Sequence, residues 1–160
     1  MSPQVIILMG SKSDLSQAQS VAKTLKTLEI SYQMRVCSAH KATARLLEIL
    51  REYEQQPEPL VYVTIAGRSN ALSAVIDANS RFPVIACPPY SDRFGGMDIL
   101  SSLRLPSGIA SPTILEPESA ALLAAKMLAL SDEQLRQRIQ AYKERFVAEL
   151  DEADKEVYGL

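Results

Sequence analysis

Two stretches of the chain, QVIILM at residues 4–9 and LVYVTIA at 60–66, are apolar at nearly every position. A strand with one wet face alternates apolar and polar residues, whereas a strand covered on both faces need not. These runs therefore point to the middle of a parallel sheet with helices on each side. The segment after the first run agrees. Beyond the turn-forming Gly10-Ser11-Lys12-Ser13, apolar residues recur at Leu15, Ala18, Val21, Ala22, Leu25 and Leu28. That is helical spacing, with Ser13 or Asp14 as the expected N-cap.

The alternation continues along the chain. Residues 32–37 (YQMRVC) read as a second strand, and a helix from Thr43 carries Leu46, Leu47, Leu50 and Tyr53 on one stripe. The prolines in QQPEP at 55–59 stop it, because proline cannot continue a helix. After the third strand at 60–66, residues 69–80 form a helix with Leu72, Val75 and Ile76 inward. A fourth strand at 84–87 ends at Pro88-Pro89, a pair that leaves open a cis bond. A long connection at 90–111 leads to a fifth strand at 113–115, an alanine-rich helix at 117–130 and a polar helix from Asp132 to about Val157.

Strands alternating with helices by right-handed crossovers imply an α/β three-layer sandwich around a parallel sheet of about five strands. No G-x-G-x-x-G run follows the first strand, so a flavodoxin-like sandwich is favoured over a dinucleotide-binding fold. The 160 residues suit one domain, with 1–130 as the sandwich and 131–160 as a helical extension in which charge density rises.

Composition excludes several function classes. Seventeen Lys and Arg against nineteen Asp and Glu give a net charge of −2, with no global basic footprint for nucleic acid or anionic membrane. No apolar run reaches the roughly 18 residues of a membrane span, and no charged-then-apolar leader opens the sequence. Cys37 and Cys87 are too few for a disulfide scaffold or a cysteine zinc site, which suits a reduced cytoplasmic setting. There is one histidine, His40. Metal sites built on several histidines are excluded, and so is a pair of histidines dividing acid and base roles.

In a doubly wound sheet, ligands bind beyond the carboxyl ends of the strands. The unusual polar residues gather there. Gly10, Ser11, Ser13 and Asp14 offer backbone N–H groups at a helix start, two hydroxyls and a carboxylate, the parts of a phosphate or ribose site. An ordinary capped turn would use the same residues. Ser38-Ala39-His40-Lys41 follows the second strand. An imidazole, titrating near ~6.5 in peptides, can carry a proton either way at neutral pH, and Lys41 can pair with a phosphate. The blander reading is a polar loop histidine. Gly67-Arg68-Ser69-Asn70 puts a cation at another helix start, suited to an anion. Cys87 reads as inert packing rather than a nucleophile. In 90–111, Asp92, Arg93, Arg104 and Pro106-Ser107-Gly108 are placed to form a lid or a plain surface loop.

Taken in order, Met9-Gly10-Ser11-Lys12-Ser13-Asp14, Ser38-Ala39-His40-Lys41, Ala66-Gly67-Arg68-Ser69-Asn70-Ala71-Leu72-Ser73 and Ser102-Leu103-Arg104-Leu105-Pro106-Ser107-Gly108 closely resemble the PurE family of purine biosynthesis. The likeness runs from about residue 4 to about 130. It implies a flavodoxin-like core and a homo-oligomer, usually an octamer, with a tetramer as the smaller option. Class I of the family, a mutase acting on N5-carboxyaminoimidazole ribonucleotide, typically has Ser-Ala-His-Arg after strand two and a second histidine after strand three. Here Lys41 stands for that arginine, Arg68-Ser69-Asn70 occupies the second place, and no other histidine exists. The chain therefore resembles class II, which carboxylates 5-aminoimidazole ribonucleotide (AIR) with CO2.

The resemblance also implies roles. Gly10, Ser11, Ser13 and Asp14 form the nucleotide loop, with Asp14 on ribose hydroxyls, and Lys41 holds phosphate. Ser38 and His40 form the catalytic loop, while Gly67, Arg68, Ser69 and Asn70 shape the pocket for CO2 or the new carboxylate. No biotin, ATP or metal is implied, only the ribonucleotide and CO2. Within enzymes the mutase is the alternative. A phosphoacceptor receiver shares the fold class but needs an aspartate ending strand three, where this chain has Thr64-Ile65-Ala66-Gly67-Arg68. Finally, Leu135, Ile139, Tyr142 and Phe146 recur at 4-3-4 spacing, a narrow seam expected to pack on a neighbouring subunit.

Overall fold

The structure, a computed structural model, describes residues 4–158. Its strands are β1 (Val5–Met9), β2 (Tyr32–Val36), β3 (Val61–Ile65) and β4 (Val84–Ala86). Its helices are α1 (Leu15–Thr27), α2 (Thr43–Glu54), α3 (Leu72–Asp77), α4 (Leu100–Leu103), α5 (Pro117–Leu128) and α6 (Glu133–Tyr158). Among the described residues the strands make one parallel sheet in the order β2-β1-β3-β4. This is the flavodoxin-like order, in which the chain reverses direction across the sheet between β1 and β3.

The pleat divides the core into two layers. Val5, Ile7, Met9, Val61, Val63 and Ile65 face α1, α5 and the start of α6. Ile6, Leu8, Tyr62 and Val84 face the opposite way, toward α2 and α3. That double coverage is why β1 and β3 show no alternation. In α5, Ala120, Ala121, Ala124 and Ala125 are all fully buried, so small side chains let the helix lie close on the sheet.

The fifth strand is reduced to one parallel bridge between Ala86 and Thr113. Pro88, Pro89 and Pro112 lack the N–H groups a longer ladder needs, so β4 and its neighbour stop after Ala86 N donates to Pro112 O and Ile114 N to Ala86 O. The Pro88–Pro89 bond is trans, as are all peptide bonds among the described residues. The first helix also begins differently from expectation. Ser11 caps a 3-10 turn at Lys12–Asp14 in a reciprocal box with Asp14, and α1 follows with no side-chain cap of its own.

The seam on α6 divides. Leu135 and Ile139 are buried in the chain's own core, and Tyr142 packs against it, while Phe146 is 46% exposed. The inner half therefore packs on its own domain rather than on a neighbour. The helix is 26 residues long, about 39 Å at 1.5 Å per residue, so its outer turns run past the layer that covers the inner ones.

Candidate active site

The strand registers bring the polar loops to one level. Met9 pairs with Val36 on one side and Ile65 on the other, and Thr64 pairs with Ala86. Backbone bonds carry the ladder one step further: Cys37 N donates to Met9 O, Gly10 N to Ile65 O and Cys87 N to Thr64 O, each at 2.8 Å. The loops after β1, β2, β3 and β4 then emerge side by side around a cavity of about 580 Å³.

Ten of the eleven site residues named from the sequence line that cavity. They are Gly10, Ser11, Ser13 and Asp14 from the first loop, Ser38, His40 and Lys41 from the second, and Gly67, Arg68 and Ser69 from the third. Asn70 is the exception. Only 7% exposed, it turns its amide inward, where Nδ2 donates to Ser73 Oγ (3.1 Å) and Ser102 Oγ (2.9 Å). Its polar groups are consumed by the protein, so it supports the loop instead of facing the cavity.

Each loop is held by its own short-range bonds. In the first, Ser11 N donates to Asp14 Oδ2 (3.0 Å), and Ser13 N and Oγ both donate to Ser11 Oγ (3.2 and 3.0 Å). Burial pushes the Asp14 carboxyl above its ordinary value; the Ser11 N–H and the Ser13 side chain pull the other way and are outweighed. In the second, Ser38 closes a turn, its O accepting from Ala42 N (3.0 Å) and its Oγ from Lys41 N (3.3 Å). Buried Ala39 pins the turn and leaves His40 exposed at its tip. Among the described residues the His40 imidazole has no hydrogen-bond or ion-pair partner.

The third loop is the strained one. Arg68 has φ of +60°, a conformation that L side chains adopt at a cost. Gly67 before it lies close to the opposite wall: a Cβ there would sit 3.0 Å from Pro89 Cγ, and the proline would have to give by a few tenths of an ångström. Pro89 itself lines the cavity, so the close approach of Gly67 to it closes one wall.

On the far wall, sequence reasoning offered Arg93 as a lid candidate and missed Ser91 and Asp98. Ser91, Arg93 and Asp98, from the segment after β4, line the cavity. Of the lid candidates Arg93 reaches it, Asp92 faces an adjoining hollow, and Arg104 lines neither. The signal for Asp98 was absent because a 3-10 segment at Arg93–Ile99, bent by left-handed Phe94, Gly95 and Gly96, folds it back over the loops. Among the described residues Lys41, Arg68 and Arg93 form no ion pair, which leaves three uncompensated cations around a cavity with two carboxylates, Asp14 and Asp98. Such a lining suits a ligand carrying more than one negative charge. Cys87 lies outside this chemistry: it is fully buried, its thiol pushed up to about 11 by burial, with Gln17 Nε2 donating to its sulfur.

Comparison with known proteins gives consistent results. Residues 4–149 match the family described as AIR carboxylase. A phosphoribosylaminoimidazole carboxylase of Archaeoglobus fulgidus is 50% identical over 154 residues, covering 96% of this chain and 84% of that protein. The crystal structure of Treponema denticola PurE superimposes with a TM-score of 0.94 at 47% identity, covering 97% and 98% of the two chains. A bifunctional phosphoribosylaminoimidazole carboxylase/phosphoribosylaminoimidazole succinocarboxamide synthetase of Rattus norvegicus is 42% identical over 154 residues, 96% of this chain and 36% of that protein.

Proposed function

The chain belongs to the AIR carboxylase family, and from that premise we propose that it joins CO2 to C4 of AIR, forming 4-carboxy-5-aminoimidazole ribonucleotide. The step is a reversible carboxy-lyase reaction of purine (IMP) biosynthesis. The observation that carries the CO2-using branch is His40: one imidazole, without a hydrogen-bond or ion-pair partner among the described residues, lining the same cavity as a third loop that holds Arg68 and Ser69 instead of a second histidine.

The aminoimidazole of AIR is an enamine, so C4 is already nucleophilic. Its electron pair forms the new bond to the carbon of CO2, and the displaced C=O electrons become carboxylate. C4 is then tetrahedral and still bears its proton, with the ring's aromaticity interrupted. Neutral His40 takes that proton, and the C–H electrons restore the ring. In reverse, protonated His40 delivers the proton to C4 and CO2 departs. Written this way the reaction requires no biotin, ATP or metal. The protein's contribution is to hold CO2 against C4 and exclude water.

The cations divide the ligand's charges. Lys41 serves the phosphate, with Gly10 and the Ser11 and Ser13 hydroxyls around it, and Asp14 accepts from the ribose hydroxyls. Arg68 and Ser69 face the forming carboxylate, and Ser38 holds the turn that presents His40. The setting we propose is cytoplasmic, without nucleic acid or membrane, in a homo-oligomer of eight or four chains. Exposed Tyr90, Phe94, Met97, Leu100 and Leu103 support the oligomer, since they would leave a large apolar area in water on a lone subunit.

Purified protein should turn over AIR with bicarbonate and leave the N5-carboxy compound unused. His40→Asn should keep the fold by circular dichroism and lose at least about 100-fold in kcat in both directions, the scale of a lost acid–base group. A folded variant with near-full rates would remove His40 from the mechanism.

A further inference from the structure

Two walls of the cavity come from segments far apart in sequence, and one hydroxyl joins them. Ser101 Oγ accepts from Asn70 N at 2.9 Å, and donates toward Arg68 O at 3.0 Å and Asp98 O at 2.8 Å. Asn70 and Arg68 belong to the loop after β3, while Ser101 and Asp98 belong to the segment after β4. A hydroxyl has one proton, so the two carbonyls share it, while its lone pair holds the Asn70 N–H in either arrangement. Beside it, Asn70 Nδ2 reaches Ser102 Oγ and Ser73 Oγ, and Ser102 O accepts from Thr113 Oγ1 at 2.9 Å. Ser73 and Ser102 are almost wholly buried, so this second set of bonds is shielded from water.

The placement bears on the site. Arg68 sits in a left-handed conformation that its own side chain does nothing to favour, and the Ser101 bonds grip the backbone on both sides of Ser69. The same hydroxyl anchors the turn at Asp98, whose segment carries Arg93 and Asp98 onto the cavity. Gly67–Ser69 and Arg93–Asp98 thus keep their spacing through Ser101.

We propose that Ser101 is a positioning residue for AIR carboxylation: its hydroxyl clasps the strained Arg68 loop to the Arg93–Asp98 wall and so sets the cavity to the shape of the reacting pair. The catalytic consequence rests on the function proposed above; the clasp itself does not. Ser101→Ala removes the hydroxyl at small steric cost, and Ser101→Thr restores it. In the full-length protein without substrate, Ser101→Ala should raise amide exchange of Asn70 and of residues 93–99 by at least about 10-fold, with Ser101→Thr close to wild type. In the AIR and bicarbonate assay, Ser101→Ala should lower kcat/KM by about 10- to 100-fold, mostly through kcat at saturating AIR, with an unshifted pH profile and with rescue by Ser101→Thr. Unchanged exchange in Ser101→Ala overturns the clasp. Changed exchange with wild-type kcat/KM, or with a Ser101→Thr variant as slow as Ser101→Ala, overturns its role in positioning. Failure of the wild-type protein to carboxylate AIR would count against the proposed function instead, and the exchange result would still decide the clasp.

Discussion

At Arg68 the polypeptide accepts a backbone conformation that costs about 1–3 kcal/mol for a residue with a side chain. Glycine would avoid that cost, but a glycine has no guanidinium to place at the cavity. Local strain therefore accompanies a guanidinium on the cavity lining, and the next residues, Ser69 and Asn70, show how it is contained. Asp14 gives a testable case at the same scale. Its carboxyl titrates above 3.8 in the folded chain because burial disfavours the charge. A raised folded value means that its stabilising share is present at acid pH and is lost as pH rises through that value. Across the window just above 3.8, Asp14→Asn should therefore flatten the fall in thermal stability with rising pH. It should also lower kcat/KM for AIR at neutral pH, since an amide is a poorer acceptor for ribose hydroxyls than a carboxylate. A melting-temperature series and a pH–rate profile check the two outcomes.

Among elements, α6 shows most plainly what spacing alone conveys. Four apolar residues at 4-3-4 intervals identified a contact stripe, and the stripe exists. Its cover stops part-way along, because the sandwich ends before the helix does. Leu135, with no exposure, is core, whereas Phe146 touches only its own helix neighbours Tyr142 and Arg145 among the described ring contacts. Leu135→Ala should thus cost about 2–5 kcal/mol in urea unfolding, and Phe146→Ala within about 0.5 kcal/mol when measured on the isolated chain. β4 makes a related point. The apolar residues at 113–115 look like a strand, but a strand also needs donors on its partner, and the prolines at 88, 89 and 112 withhold them.

For the whole molecule, truncation after Lys143 separates the two halves of α6. Leu135, Ile139 and Tyr142 remain to seal the sandwich, while Phe146, Val147 and Leu150 are lost. The shortened chain should still unfold cooperatively, losing from its far-ultraviolet signal only the share of the removed helical turns, and scatter light as a smaller assembly. An assembly with the same number of chains would show that the outer helix is not an interface. Truncation after residue 131 would be a poorer test, since it also removes two core residues, Leu135 and Ile139.

The layers, the direction of the strands and ten cavity residues were legible in the sequence for one reason. Apolar runs and helical periods are local signals, and the strand-end rule converts them into a place. Glycine, serine, histidine and arginine after Met9, Val36 and Ile65 had to fall together once three strands were parallel and in register. Asn70 shows the limit of that logic: it follows the same strand end as Gly67 and Arg68, but just before the cap of α3 its side chain points inward. Asp98, Ser91 and Ser101 lay beyond it altogether. A bend of three left-handed residues, Phe94, Gly95 and Gly96, separates Ser91 from Asp98 and Ser101, and nothing in their immediate neighbours signals that bend's destination. The sequence by itself determined the α/β sandwich, the position of the site and the solitary imidazole, because these depend on periodicity and composition. Tertiary structure alone decided which side chains face the cavity and which brace it, and how far α6 belongs to its own core. Those depend on distances between residues some thirty to a hundred positions apart, which no local pattern encodes.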